Sequence, residues 1–167
     1  MRLRAEALTD AGFAPFGEVV SCERADVAAS SANQGTALRR DWLTELRSSR
    51  PHARLNVASF RCAPRPAGAL ALTLLERHAA SSQLFVPMNA RRYLVVVAHG
   101  GDAPDLGSAR AFVASGAQGV SYAPGVWHHP MIALDEAIDF ACFVYEDGTA
   151  LDCETRALGE VVEVDPG

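Results

Sequence analysis

The clearest indication of the fold lies in residues 69–78, which read ALALTLLERH. Successive side chains on a β-strand point to opposite faces, so residues two apart share a face. One face of this strand carries alternate leucines and then two polar residues, Leu70, Leu72, Leu74, Glu76 and His78. We expect that face to be the interior. An apolar floor that ends in Glu76 and His78 predicts the polar mouth of a small-molecule site in a small barrel.

The pattern on either side of this strand is that of a mostly β protein. Residues 55–60, 93–98, 110–114 and 138–145 read as strands between turn clusters, and the tail EVVEVDPG can add one more. Residues 21–35 read as a long loop. Residues 41–50 allow a short helix with Asp41 as its N-cap. Many short strands with one or two short helices predict a β-barrel or jelly roll.

Composition narrows the class of protein. The 167 residues suit a single domain, 1–167, and 49% of them are hydrophobic. The net charge of −5, without a run of Lys or Arg, argues against nucleic acid as a partner. No apolar stretch approaches the ~20 residues of a membrane helix, and the N-terminus lacks the pattern of a secretory signal. Four widely spaced cysteines without a CxxC pair are typical of reduced thiols, which predicts a cytoplasmic protein.

A second cluster of polar residues lies in GVSYAPGVWHHP, residues 119–130. Pro124 and Gly125 predict a type II turn, because Pro fixes φ and Gly accepts a positive φ. His128 and His129 follow at once, so on an extended strand only one of them can face the interior. Together with Glu76 and His78, that histidine would form a group suited to proton transfer or metal binding.

These segments resemble a known family. GVSYAPGVWHH resembles the second motif of cupins, and ERHAASSQLFVP resembles a degenerate first motif. The strings LLERH, FVPM, VVVAHGGDAPDLGSARAF, GVSY and GVWHHP resemble, in order and spacing, the ureidoglycolate lyase family within the cupins. ANQGTALRRD is similar to the family's N-terminal Asn-x-Gly-x3-Arg stretch, which here places Asn33, Gly35 and Arg39. The resemblance covers residues 7–145.

The resemblance implies a cupin-type β-barrel, a homodimer, and an activity late in allantoin breakdown. The implied reaction converts ureidoglycolate to glyoxylate and urea. Its catalytic candidates here are Glu76, His78 and His128, whose chemical types suit the proton transfers that the reaction needs.

The resemblance also implies a divalent metal, nickel, and its ligand positions correspond to Glu76, His78, Gln83 and His128. The first His of the usual cupin set is Glu76 here, and the usual Glu is Gln83. An amide oxygen is a poorer ligand than a carboxylate for metals of this class. We therefore expect metal binding to be weak or absent.

Substrate binding requires a partner for a carboxylate, and the planar fork of an arginine matches one. Arg39, Arg61 and Arg92 are the candidates, and we hypothesise that Arg39 closes over the pocket from the N-terminal loop. Three further residues, Asn33, Gln83 and Trp127, are candidates because they belong to the resembling motifs or adjoin the histidine pair.

Two features bear on assembly and on alternative functions. YLVVVA and FACFVY read as strands buried on both faces, and a second subunit is one way to cover an outer face.

Another cupin enzyme, such as a metal-dependent dioxygenase or an isomerase, would keep the usual metal ligands. A non-catalytic cupin that binds small carboxylates would need an arginine and a pocket only. Several proton-transfer groups on one inward face favour an enzyme.

Overall fold

The computed structural model describes residues 1–167 and is built almost entirely of strands. The first seven strands are β1 (Arg2–Arg4), β2 (Glu6–Ala7), β3 (Gly17–Val20), β4 (Ala29–Ala32), β5 (Ala37–Arg40), β6 (Arg54–Cys62) and β7 (Leu70–Arg77). The others are β8 (Gln83–Pro87), β9 (Tyr93–Ala98), β10 (Arg110–Ala114), β11 (Gly119–Tyr122), β12 (Trp127–His128), β13 (Ile132–Ala133), β14 (Ile138–Glu146) and β15 (Glu154–Asp165). Helix is limited to α1 (Asp10–Phe13) and two short 3-10 turns, Asn33–Gly35 and Leu106–Ser108. None of these helices has the length and apolar character that a membrane crossing requires.

The strands form two main sheets. The larger sheet has the order β1-β15-β7-β12-β9-β10-β2, with β13 also paired to β9. Its two edges, β1 and β2, are consecutive in the chain and separated by one residue, so the sheet is nearly closed into a barrel. The second sheet has the order β3-β11-β8-β14-β6, and β4 and β5 form a separate hairpin. The predicted barrel of the cupin type is confirmed.

The two largest apolar clusters lie on opposite faces of the larger sheet. The main core, rich in aromatic rings, includes Phe13, Phe16, Phe85, Tyr93, Phe112, Tyr122 and Phe140. The second core is aliphatic and includes Leu70, Leu72, Leu94, Val96, Val162 and Val164. Strand β9 lies between them, because Val95 and Val97 face the main core while Leu94 and Val96 face the second. Both faces of β9 are therefore covered by the chain itself, and that strand needs no second subunit.

Strand β7 changes face along its length, which corrects the predicted leucine row. Leu72 and Leu75, three residues apart, line the same small apolar void beside Val96. The alternation is broken between them, where the pairing of β7 with the bulged strand β15 is irregular. Glu76 therefore points to the opposite side, toward the main core. The inward position of Glu76 is as predicted, but Leu70 and Leu72 do not lead up to it.

The structure also corrects two predictions in the N-terminal third. Residues 41–50 are not helical, and the carboxylate of Asp41 binds Arg39 instead of capping a helix. Residues 47–50 run beside residues 80–82, where the Ser82 amide donates to the Arg47 carbonyl at 3.0 Å. These tertiary hydrogen bonds outweigh local helix propensity. The predicted loop of residues 21–35 contains β4 and a 3-10 turn.

Gly17 sets the distance between β3 and its neighbour β11, where it pairs with Tyr122. Its φ is +147°, and a Cβ added there would lie 1.9 Å from the Ser121 carbonyl oxygen. No side chain fits at that distance, so β3 can approach β11 only because the residue is glycine.

Replacing Gly17 with Ala should lower the free energy of unfolding by roughly 2 to 4 kcal/mol, because the backbone of β3 must move away from β11. Chemical denaturation measures this change. Gly159→Ala is the matched control, since Gly159 is exposed on β15 with no atom within 4 Å of the added Cβ. Equal stability of the two variants would contradict the role of Gly17.

Candidate active site

Three neighbouring strands bring the first two site residues together. Glu76 on β7 is paired in register with His128 on β12, and His128 is paired with Val97 on β9. Residues paired in register have side chains on the same face of a sheet. Because Val97 belongs to the main core, Glu76 and His128 also face the space between the two sheets. The Glu76 Oε1 atom lies 3.8 Å from His128 Nδ1.

His78 joins this pair from the turn that follows β7. Its ring is buried and lies parallel to the His128 ring, with 5.8 Å between the ring centroids. Its Nδ1 atom is 2.7 Å from the carbonyl oxygen of Asp152. A carbonyl oxygen only accepts, so Nδ1 carries the proton and the lone pair of the neutral ring is on Nε2. Burial lowers the pKa of His78, which keeps the ring neutral.

His128 is the most deeply buried of the three residues, with 1% of its surface exposed. The predicted turn precedes it: the Val126 amide donates to the Ala123 carbonyl, and Gly125 has a φ of +81°. The imidazole stacks on the Tyr122 ring at 4.1 Å. Neither ring nitrogen has a hydrogen-bond partner. Burial, with the neighbouring His78, lowers its pKa to about 3, so this imidazole is neutral at physiological pH.

Glu76 is a half-buried carboxylate without a strong cationic partner. Burial raises its pKa, and the Cys153 thiol, 3.9 Å from Oε2, opposes that shift by hydrogen bonding. Its closest ionisable neighbour is His128, whose imidazole is neutral. A carboxyl group in this environment exchanges a proton more readily near neutral pH than an exposed glutamate does.

The donor atoms of Glu76, His78 and His128 lie within 4.8 Å of one another. Buried polar atoms in folded proteins are nearly always hydrogen-bonded, so the two free nitrogens of His128 indicate a place for a ligand. Two imidazoles and a carboxylate suit a small polar molecule that exchanges protons, and they also suit a divalent metal. The structure thus brings together the three residues that were predicted as catalytic.

Gln83 and Trp127 have different positions relative to this group. Gln83 is buried on β8 and pairs in register with Tyr122, so it faces the same interior, and its Oε1 atom has no partner. Trp127 faces away: it packs with Leu75 and Ala98, and its Nε1 donates to the Gly101 carbonyl at 3.3 Å. The indole supports the strand that carries His128 and does not line the site.

The predicted arginines all lie in exposed ion pairs. Arg61 pairs with Asp139 on the outer face of the second sheet, and Arg92 pairs with Asp135. Arg92 precedes β9 by one residue and is five residues from Val97, or roughly 16 Å at the rise of a strand. The structure does not bring either of them to Glu76.

Arg39 and Asn33 lie on the hairpin formed by β4 and β5. Arg39 is exposed and pairs with Asp41. Asn33 is also exposed, and its φ of +50° is a conformation that few side chains other than Asn adopt readily. Neither of them contacts the three buried residues through a hydrogen bond.

Sequence analysis missed Arg54, Asn56 and Glu146. Strands β6 and β14 pair so that Arg54 is opposite Glu146 and Ala58 is opposite the buried Cys142. Counting in twos from Ala58 places Asn56 and Arg54 on the inward face, at the end of β6 that pairs with Glu146. The Asn56 amide donates to Glu146 at 2.7 Å. The same count could have been made on the sequence if strand β6 had been extended to Arg54.

Comparison with known proteins gives a consistent result. The family model described as ureidoglycolate lyase matches residues 1–165. The chain is 40% identical over 160 residues to a ureidoglycolate lyase of Azotobacter vinelandii, with 95% of this chain and 93% of that protein covered. It is 47% identical over 138 residues to one of Burkholderia mallei, with 83% and 79% covered.

A third relative and one solved structure complete the comparison. A ureidoglycolate lyase of Pseudomonas savastanoi pv. phaseolicola is 36% identical over 159 residues, with 95% of this chain and 91% of that protein covered. A dTDP sugar isomerase from Desulfovibrio desulfuricans G20 has a TM-score of 0.48 and 18% identity over 78% of this chain and 80% of that chain. The full-length family match and the identity to these relatives show that the chain belongs to the ureidoglycolate lyase family.

Proposed function

We propose that the protein is a ureidoglycolate lyase that cleaves ureidoglycolate to glyoxylate and urea in the breakdown of allantoin. The observation that carries the proposal is the buried group of Glu76, His78 and His128, in which both ring nitrogens of His128 lack a partner. Family membership supplies the substrate, and the buried group supplies the chemistry.

Ureidoglycolate is a hemiaminal, whose reacting carbon carries a hydroxyl group, a carboxylate and a urea nitrogen. When the C–N bond breaks, its electron pair leaves with the nitrogen and the hydroxyl oxygen forms a carbonyl group. The hydroxyl proton is lost and the departing nitrogen gains one proton, so atoms and charge balance without water or an oxidant. The enzyme has to move one proton from oxygen to nitrogen.

Glu76 is the group best suited to carry that proton. Both histidines are neutral at physiological pH because burial lowers the pKa of each. Burial raises the pKa of Glu76, so its carboxylate is a stronger base than that of an exposed glutamate and its acid form is more accessible. Glu76 accepts the hydroxyl proton and then donates it to the departing nitrogen. His78 Nε2 and His128 bind and orient the substrate through hydrogen bonds.

The same three side chains fit a divalent metal, with Gln83 as a fourth, weaker ligand. Two imidazoles and a carboxylate with donor atoms within 4.8 Å are a set that nickel or zinc accepts. A bound metal would polarise the substrate oxygen atoms. We expect its affinity to be weak because Gln83 offers an amide where a carboxylate would bind more strongly.

The substrate carboxylate requires a cationic partner, and two arginines are proposed for it. Arg54 lies on the inward face of β6 and lines a polar depression with His52, Glu146 and Asp147. Arg39, which the family resemblance selects, is proposed to approach from the hairpin when substrate binds. A planar guanidinium can bind both oxygens of a carboxylate.

We propose that the protein is a homodimer in the cytoplasm, joined through the outer face of the second sheet. That face exposes 63% of Val57 and 46% of Leu55, next to the half-buried Phe143. Exposed apolar side chains on adjoining strands are typical of an interaction surface. The four cysteines are free thiols, which suits a reducing compartment.

Purified protein incubated with ureidoglycolate should release glyoxylate and urea in equal amounts, faster than the spontaneous breakdown in a no-enzyme control. Glu76→Gln should lower kcat by about 10²- to 10⁴-fold, because it removes the proton carrier without changing the shape of the side chain. In the wild-type protein, kcat/KM should fall as the pH drops through the pKa of Glu76, because protonated Glu76 cannot accept the hydroxyl proton. Burial places this pKa above the ordinary value of about 4.3.

The matched control is Glu163→Gln, an exposed glutamate on β15, which should leave the rate unchanged. Ammonia in place of urea would contradict the lyase reaction, and binding without turnover would indicate a non-catalytic cupin.

We expect activity to persist after dialysis against a chelator. Stoichiometric metal that survives this dialysis would contradict weak binding.

Replacing Arg54 with Ala should raise KM about 10-fold or more, because the substrate carboxylate loses a charged partner. Arg39→Ala should also raise KM if the hairpin closes on bound substrate. Arg61→Ala and Arg92→Ala, which remove exposed ion pairs, are controls and should leave KM unchanged. An unchanged KM for a variant removes that arginine from the site.

Static light scattering at micromolar concentration should give twice the 17.7 kDa mass of the chain. Val57→Asp should give monomers, because it places a charge on the proposed interface. Val161→Asp changes another exposed valine, on β15, and should leave the dimer intact. A wild-type mass of one chain would contradict the dimer.

A further inference from the structure

The ring of His78 is held by the loop that follows β14. Residues 147–152 form most of the connection from β14 to β15, and the Asp152 carbonyl at the end of this loop accepts the Nδ1 proton of His78 at 2.7 Å. The next residue, Cys153, contacts Glu76. The end of the loop therefore touches two of the three buried site residues.

Asp152 forms the hydrogen bonds that shape this loop. Its carboxylate accepts the amide of Asp147 at 3.0 Å and that of Gly148 at 2.7 Å, and its own amide donates to the Thr149 carbonyl at 3.1 Å. Hydrogen bonds from backbone amides to a charged carboxylate are stronger than those to a neutral group. The carbonyl that meets His78 is thus fixed by the carboxylate of the same residue.

Arg50 links Asp152 to the segment of residues 47–50 through an ion pair. Its guanidinium binds the Asp152 carboxylate and lies 3.4 Å from the Asp147 carboxylate. The Arg50 side chain is 16% exposed and that of Asp152 is 13% exposed, so solvent screens this ion pair less than the surface pairs.

The segment that carries Arg50 is itself attached to the turn of His78. The Ser49 amide donates to the Ala80 carbonyl at 2.9 Å, and the Arg47 amide donates to Ser82 Oγ at 2.8 Å. Arg50 therefore spans from the 78–82 turn to the 147–152 loop. It holds the donor, His78 Nδ1, and the acceptor, the Asp152 carbonyl, at a set distance.

We propose that Arg50 and Asp152 are positioning residues that keep His78 in one tautomer, with the lone pair of Nε2 directed at the substrate. A free neutral histidine prefers the other tautomer, with the proton on Nε2, and its ring can rotate. A hydrogen-bonded partner on the far nitrogen is the usual way in which a protein fixes both tautomer and ring orientation. The role in catalysis rests on the proposed lyase function; the tautomer does not depend on it.

The test uses the full-length protein with ¹⁵N-labelled histidine and three variants. In Asp152→Asn the carboxylate charge is lost. Arg50→Met removes the guanidinium but keeps most of the side chain, and Arg50→Lys keeps the charge without the fork. Arg91→Met is the matched control, because Arg91 also forms an ion pair with a carboxylate, that of Glu136, but on the surface.

The ring ¹⁵N shifts of His78, assigned through a His78→Gln variant, should show the Nδ1-protonated tautomer in the wild-type protein and in Arg91→Met. Asp152→Asn and Arg50→Met should move the population toward the Nε2-protonated tautomer. We expect kcat on ureidoglycolate to fall about 10- to 100-fold with KM changed less than about 3-fold, and Arg50→Lys should recover part of the loss.

Folded variants, judged by thermal unfolding, that retain the wild-type tautomer and kcat would overturn the proposal. If Arg50→Met fails to fold, Arg50→Lys and Asp152→Asn carry the same comparison. The NMR measurement needs no substrate. A wild-type protein without lyase activity would overturn the proposed function, while the tautomer of His78 would still decide the positioning role.

Discussion

The site contains an energetically costly arrangement, because an imidazole and a carboxylate lie side by side between the two sheets without enough hydrogen-bond partners. Moving such groups out of water costs several kcal/mol when their hydrogen bonds are not replaced. His128 has no partner on either nitrogen, and Glu76 has only a thiol and two neutral imidazoles nearby. A rigid framework has to hold them in place, and the register of β7, β12 and β9 provides it. The two unpaired ring nitrogens of His128 can then form hydrogen bonds with a substrate.

Both apolar cores support this site through packing. The main core carries Tyr122, whose ring stacks on His128, and the second core holds the opposite face of β9. Trp127, next to His128 but facing away, packs under the Arg77 guanidinium at 4.7 Å. Each side of the short strand β12 is therefore packed. The site residues keep their orientation because their neighbours in sequence are fixed on the other face.

The alternation of strands and the chemistry of turns could be read from the sequence. They predicted the barrel, the type II turn at Pro124 and Gly125, and one inward histidine, which is His128. The local pattern could not reveal the change of face along β7, because that change depends on a bulge in β15, about 80 residues further along the chain. Nor could it show that residues 41–50 would pair with the turn of His78 instead of forming a helix. Predictions from strand alternation hold only where the pairing is regular.

The reaction centre proposed for this protein is the group of Glu76, His78 and His128. Its most direct test is a crystal structure with the substrate analogue in which hydrogen replaces the hydroxyl group, since this analogue cannot collapse to a carbonyl. We predict that the ureido group lies within hydrogen-bond distance of Glu76 and of a ring nitrogen of His128, with the carboxylate toward Arg54. An analogue bound elsewhere, with both nitrogens of His128 still unpartnered, would contradict it.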